Sequence, residues 1–222
     1  MNKIKTAKTK LGNEIYLTGD ENAKVLVIGV FHGDEPQGKY LIEKYLTEPS
    51  LAPHLECRNY ERGKMPQILR RGKLFIPCLN PDGLQLGQRT NANGVDINRN
   101  FPTKNWSLTE KNEFFGGEKP ASEIETQFVI DIINEYNPEI ILTLHAPFKV
   151  VNYDGPAEQL AENISKIINY PVEPNIGYPT PGSFGTYAGV ERQIKTITLE
   201  LDEECPQDDL VKPVFEIFDC LL

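Results

Sequence analysis

Four short apolar runs, at 25–30, 73–79, 139–144 and 196–201, are rich in β-branched residues and alternate with stretches whose apolar residues recur at helical spacing. The helical stretches are 37–46, 122–136, 157–168 and 210–222, the last interrupted near Pro213. In the second, Phe128, Val129, Ile132 and Ile133 form one stripe, and Ser122 with Glu125 three places on reads as a capping box that starts the helix. Strands alternating with helices predict a mainly parallel or mixed sheet covered by helices, an α/β fold. Sheets of that kind bind ligands at the carboxyl ends of their strands.

That rule gives weight to what stands at the strand ends. The first run leads directly into His32-Gly33-Asp34-Glu35. An imidazole and a carboxylate three residues apart can reach one cation, and a catalytic zinc site needs three such side chains and one open position. Candidates for a third ligand and for a catalytic carboxylate stand at two other strand ends, His145 and Glu200. The remaining histidine, His54, sits in Pro53-His54-Leu55 and reads as a surface residue. Between the candidates lie Asn80-Pro81-Asp82-Gly83, Arg89 and the run G-V-D-I-N-R-N-F at 94–101. So many Asn and Arg residues after a strand predict a polar pocket rather than a plain solvated loop. Guanidinium groups pair bidentately with carboxylates, so Arg99 with Asn98 suits a substrate carboxylate. Arg89 could instead face the oxyanion that forms when a carbonyl is attacked.

Composition narrows the class. A chain of 222 residues, 25% charged and 39% hydrophobic, suits one soluble domain over residues 1–222. No repeat or Pro/Gly-rich linker divides it. The first ten residues are basic but lack the apolar segment of a secretory signal, so a cytoplasmic protein without a membrane partner is expected. Cys57, Cys78, Cys205 and Cys220 form no C-x-x-C pair and read as reduced thiols, although Cys205 and Cys220 could pair. A net charge of −9 argues against a nucleic-acid partner, whereas a local Arg can still bind a small anion.

H-G-D-E at 32–35, N-P-D-G at 80–83, Arg89 with G-V-D-I-N-R-N-F, the strand-end His145 and T-L-E-L at 198–201 together closely resemble the M14 family of zinc carboxypeptidases. The resemblance runs from about residue 25 to 201. It implies a single α/β/α sandwich with a mixed, mostly parallel eight-stranded sheet. It also implies one zinc ion on His32, Glu35 and His145, with Asp96 orienting the first His, as a ligating imidazole generally requires. By the same resemblance Arg89 faces the oxyanion, Asn98 and Arg99 clamp a substrate carboxylate, and Glu200 is the general base. The family carries a mobile tyrosine that closes over substrate. Tyr178 and Tyr187 lie in the corresponding segment, Tyr178 nearer the expected spacing.

After His145 the Ser-Tyr step of many carboxypeptidases is absent. Instead the chain reads Ala146-Pro147-Phe148, then V-V-N-Y-D-G-P at 150–156 and T-P-G-S-F-G-T-Y-A-G at 180–189. These segments are similar to the bacterial murein peptide amidases, a branch that cuts between γ-D-glutamate and meso-diaminopimelate, often during cytoplasmic recycling. The expected partner is therefore a small peptide with a free carboxylate, a murein tripeptide, with Arg99 on one carboxylate and nearby acids on the ammonium. Gly182 and Gly185 are expected to permit a tight specificity loop. Three rival readings stand beside this one. They are an ordinary C-terminal metallocarboxypeptidase, an N-acyl amino acid deacylase related to aspartoacylase, and a non-catalytic peptide-binding module. The deacylases usually carry a further C-terminal β domain, for which the residues after Glu200 leave no room.

Overall fold

In the computed structural model, which describes residues 2–48, 72–174 and 179–221, every residue of the strand Val25–Gly29 is buried. Its side chains alternate between two cores, as the pleat requires. Val25 and Val27 pack on one side of the sheet, Leu26 and Ile28 on the other. A strand covered on both faces reads as a continuous apolar run, which is why these segments stand out in the sequence.

The chain opens with a hairpin of β1 (Lys3–Lys8) and β2 (Glu14–Gly19), then β3 (Val25–Gly29) and α1 (Gln37–Thr47). There follow β4 (Lys73–Ile76), α2 (Pro81–Leu86), a 3-10 turn (Ile97–Arg99), α3 (Ile124–Tyr136), β5 (Ile140–His145) and β6 (Val150–Asp154). The rest is α4 (Glu158–Ile168), β7 (Val172–Glu173), a π-helical turn (Thr186–Val190), β8 (Lys195–Glu200) and α5 (Gln207–Cys220). The eight strands form one sheet in the order β1-β2-β4-β3-β5-β8-β6-β7. Its centre, β4-β3-β5-β8, is parallel, as is β6-β7, while β1-β2, β2-β4 and β6-β8 are antiparallel. The α/β sandwich with a mixed, mostly parallel eight-stranded sheet is thus the observed architecture.

One core lies between the sheet and α1, α4 and α5, the other between the sheet and α3 with the 3-10 and π-helical turns. β4 stops at Ile76 because Pro77 has no N–H for the ladder. The chain stays beside β3 regardless, with Leu79 N–H on Gly29 O at 3.0 Å and Asn80 N–H on Val30 O at 2.9 Å. Register sets the functional edge: Gly29 pairs with Leu144, and His145 pairs with Glu200. The ends of β3, β5 and β8 therefore lie side by side.

The start of α3 departs from expectation. Its N-cap is Glu123, no side chain caps it, and Glu125 is buried. Ser122 instead bonds Glu123 and accepts from Asn100 Nδ2 at 3.0 Å, so tertiary partners take the side chains a capping box would use. Cys78, Cys205 and Cys220 are free thiols, and no helix among the described residues is long and apolar enough to cross a membrane. His54, Cys57 and Tyr178 lie outside the described residues.

Candidate active site

At the end of β3 the chain turns sharply. Val30 adopts φ +57°, a left-handed conformation that is rare for a β-branched residue and costs on the order of 1–3 kcal/mol. Its carbonyl is held by Asn80 N–H, and the turn aims His32 and Glu35 across the strand end toward His145. Gly33 is required here. A Cβ at that position would fall 2.0 Å from the Gly83 carbonyl carbon, so the turn rests directly on the α2 backbone.

The three side chains close a triangle. His32 Nδ1 lies 2.7 Å from Glu35 Oε1 and 3.3 Å from His145 Nδ1, and Glu35 Oε2 lies 3.1 Å from His145 Nδ1. Ligands spaced tetrahedrally around zinc at its usual bond lengths stand about 3.4 Å from one another. Two imidazole nitrogens facing each other beside a carboxylate, all buried, form a donor set that fits a divalent cation. Burial opposes charge on both His32 and Glu35, yet their mutual attraction wins. His32, beside Glu35 and Asp96, is carried up to about 9, and Glu35, beside His32 and His145, falls to about 2. A bound cation would take the place of the proton that His32 holds beside the Glu35 carboxylate.

Asp96 is fully buried and stands behind the triangle, its Oδ1 3.3 Å from His32 Nε2. That contact leaves Nδ1 for a metal. Burial works to raise the Asp96 carboxyl, but His32 above all, with Arg89 and Arg99, holds it well below the ordinary range. Arg89 donates to Asp96 Oδ2 from Nε at 3.1 Å and Nη2 at 2.9 Å. Its remaining nitrogen, Nη1, points to the triangle, 3.3 Å from His32 Nδ1.

The N-P-D-G segment serves as scaffold rather than pocket wall. Asn80 caps α2 by accepting from Gly83 N–H at 2.9 Å and donates to the carbonyls of Phe31 and Arg89. Asp82 accepts from Thr9, Leu11 N–H and Asn13, which ties the β1–β2 turn to α2. The loop between Arg89 and Asp96 is organised by buried Asn91, whose Oδ1 accepts from Asn93 and Val95 N–H. Its Nδ2 donates to Glu123 Oε2 at 2.8 Å and to Glu125 Oε2 at 3.2 Å. Sequence reading did not single out Asn91; an Asn three residues before a Gly at a sharp loop was the available signal.

Beside the triangle opens a cavity of about 240 Å³, lined among others by Arg89, Asn98, Arg99, Ser183, Asp154 and Glu200. Asn98 accepts Phe184 N–H at 2.9 Å, and Arg99 Nη1 donates to Asn98 O at 2.8 Å. Gly182, at φ +72°, seats the 180–185 segment against Arg99, with Phe101 N–H on Gly182 O at 2.9 Å. Glu200 is buried, and its Oε2 has no hydrogen-bond partner among the described residues. Burial pushes its carboxyl above the ordinary range, His145 opposing and Glu35 adding to the rise. Asp154 was also passed over in the sequence, although V-V-N-Y-D alternation puts it on the same face as Asn152. Tyr187, by contrast, is packed in the core against Phe101 with Arg192 over its ring.

The sequence pattern of the M14 peptidases, described as zinc carboxypeptidase, matches residues 2–210. Murein peptide amidase A of Escherichia coli strain K12 is 38% identical over 144 residues, covering 60% of this chain and 58% of that protein. Gamma-D-glutamyl-L-diamino acid endopeptidase 1 of Lysinibacillus sphaericus is 25% identical over 210 residues, 73% of this chain and 52% of that protein. The chain thus spans a little over half the length of these curated relatives. The crystal structure of the murein-tripeptide amidase MpaA from Escherichia coli O157 superposes with a TM-score of 0.77 at 27% identity, covering 96% of this chain and 88% of that one. Pattern, sheet and strand-end triangle agree: the chain belongs to the zinc carboxypeptidase family, M14.

Proposed function

We propose that the chain is a zinc-dependent hydrolase of the metallocarboxypeptidase type that cleaves the γ-D-glutamyl–meso-diaminopimelate amide of murein peptides. The observation that carries the hydrolase reading is the His32–Glu35–His145 triangle with a buried, unpartnered Glu200 oxygen one strand away. A zinc ion in the triangle would polarise the scissile carbonyl and make a water molecule acidic enough to attack near neutral pH. Glu200, with its proton affinity raised by burial, takes the proton of that water and passes it to the leaving amine. Arg89 Nη1, the one guanidinium nitrogen not bonded to Asp96, faces the carbonyl oxygen as it gains charge. Asn98 and Arg99 hold the carboxylate of the leaving residue on the cavity wall. Tyr178, outside the described residues, is the tyrosine proposed to close over substrate. The murein assignment is supported by the similarity to two relatives whose names specify that chemistry.

Synthetic L-Ala-γ-D-Glu-meso-diaminopimelate, incubated with the zinc-loaded chain, should release free diaminopimelate, and chelation should stop the release. Cleavage only of ordinary C-terminal peptides would move the chain to the exopeptidases, and cleavage only of N-acyl amino acids to the deacylases. Activity unaffected by chelation would remove the metal reading altogether.

A further inference from the structure

Arg89 is gripped at one edge and covered on one face. Its Nε and Nη2 hold Asp96 Oδ2 at 3.1 and 2.9 Å, and Nη1 lies 3.3 Å from His32 Nδ1. The guanidinium carbon stands over the ring of Phe114, 5.2 Å from its centroid, where a cation is attracted by the electron density of the aromatic face. Phe114 is 44% exposed and is not among the described residues that line the cavity beside the triangle. A lone exposed ring is ordinary in itself. The backbone that carries this one is not.

The stretch of loop bearing the ring is pinned to the residues that build the site. Asn112 closes a tight turn beneath it, with Oδ1 accepting Phe114 N–H at 2.8 Å and its carbonyl accepting Phe115 N–H at 3.1 Å. Phe115 is buried, and its carbonyl accepts Asp96 N–H at 2.8 Å. The carboxylate of Asp96 thus holds Arg89 while its N–H holds the loop that bears Phe114. Gly116 then rests on the Arg99 backbone, since a Cβ there would fall 2.5 Å from Arg99 O. Its carbonyl accepts from buried Asn100 Nδ2 at 2.7 Å. Anchors on both sides fix where the ring stands.

We infer that Phe114 is a positioning residue for the reaction: it shields one face of Arg89 from water and keeps Nη1 aimed at the carbonyl oxygen as charge develops there. The inference rests on the oxyanion role proposed for Arg89 above. A guanidinium free to tilt, or to bind water at its face, would meet the developing charge less well, because such a donor works by being held in place beforehand. The ring acts on the charged transition state, so it governs the rate more than the hold on substrate.

Phe114→Leu keeps an apolar side chain and removes the aromatic face. Turnover by the zinc-loaded chain should fall about two- to tenfold at nearly unchanged KM, the melting temperature should stay close to the parent's, and Phe114→Tyr should restore the rate. The substrate is the γ-D-glutamyl tripeptide or, should the murein reading fail, a blocked C-terminal dipeptide, since either carbonyl gains the same charge. A phosphinate analogue of the tripeptide carries that charge permanently and reads the effect without turnover. In calorimetric titration Phe114→Leu should weaken it by the same factor and leave the binding of free diaminopimelate unchanged. In an Arg89→Ala background Phe114→Leu should change nothing further, because its effect travels through the guanidinium. Parent turnover in Arg89→Ala would remove the oxyanion role and the inference with it. A crippled Arg89→Ala beside a Phe114→Leu of parent rate would overturn the inference alone. So would a loss that Phe114→Tyr does not rescue, or one that persists undiminished without Arg89. A loss confined to KM would overturn it too, since the ring would then touch substrate from the hollow it shares with Arg99 and Pro181.

Discussion

Replacing Glu125 by Gln tests how the loop that carries Arg89 and Asp96 is supported. Glu125 is 2% exposed in the first turn of α3, and it shares the Asn91 amide with a second buried carboxylate, Glu123. Glu123 Oε2 also accepts from Asn93 Nδ2 at 2.7 Å, so it has the better share of donors. Among the described residues no Lys, Arg or His ion-pairs with either acid. Burial, opposed by the Asn91 hydrogen bond and reinforced by Glu123 and Asp82, pushes Glu125 from the ordinary 4.5 up to about 7. At about 1.4 kcal/mol for each pH unit, that difference corresponds to about 3 kcal/mol.

The direction follows from which state binds the proton more tightly. The folded protein does, so the contribution of Glu125 is fully present below about pH 4.5, declines as pH rises and is gone above about 7. Glutamine keeps the shape and never ionises. The stability of Glu125→Gln relative to the parent should therefore improve by about 3 kcal/mol between pH 4.5 and pH 8. For a chain of this size that is about 6–12 °C in melting temperature. Urea unfolding of both proteins at matched metal content across that range measures it. Two stability curves that stay parallel would refute the reasoning, because titrating groups that do not interact with Glu125 cancel in the difference.

Glu200→Gln should bind zinc at the parent stoichiometry, by elemental analysis, while peptide hydrolysis falls by about 10²–10⁴-fold; near-parent turnover would remove Glu200 from the proton-transfer role. Gly33→Ala forces a methyl against the α2 backbone and should lower unfolding free energy by about 1–3 kcal/mol. The same displacement moves His32 and Glu35, so zinc affinity in a competitive chelator titration should fall with it.

The parts of this fold that are readable in the sequence are those whose environment is uniform. β3 and β5 are buried almost throughout and mostly apolar, whereas β8 alternates Thr with Ile and Leu and is legible through its β-branched residues. β1 and β7 lie at the edges of the sheet. The burial of β1 alternates weakly and its sequence, K-I-K-T-A-K, carries lysines, as suits an edge exposed to pairing. β7 is two residues long and exists because β6 offers it a ladder, which no local pattern encodes. The capping box fails for a related reason. Ser122 and Glu125 satisfy the local rule, but Asn100 and Asn91, distant in sequence, are better placed to engage them. Local propensity yields where a buried amide must find partners.

The candidate site divides in the same way. His32, Glu35, His145 and Glu200 are legible because strand ends in a parallel sheet converge, and register then makes His145 and Glu200 neighbours. What holds them is not legible: the left-handed Val30, the backbone contact at Gly33 and the Asn80 side chain that ties β3 to the Arg89 loop. Each of these is a long-range demand met by a residue that looks ordinary in its own segment. Metal ligands must be positioned to within tenths of an ångström, so a strained turn worth on the order of 1–3 kcal/mol persists only where neighbouring elements over-determine it. Here the segment after β4, the α2 backbone and the Arg89 loop all bear on the turn that follows β3.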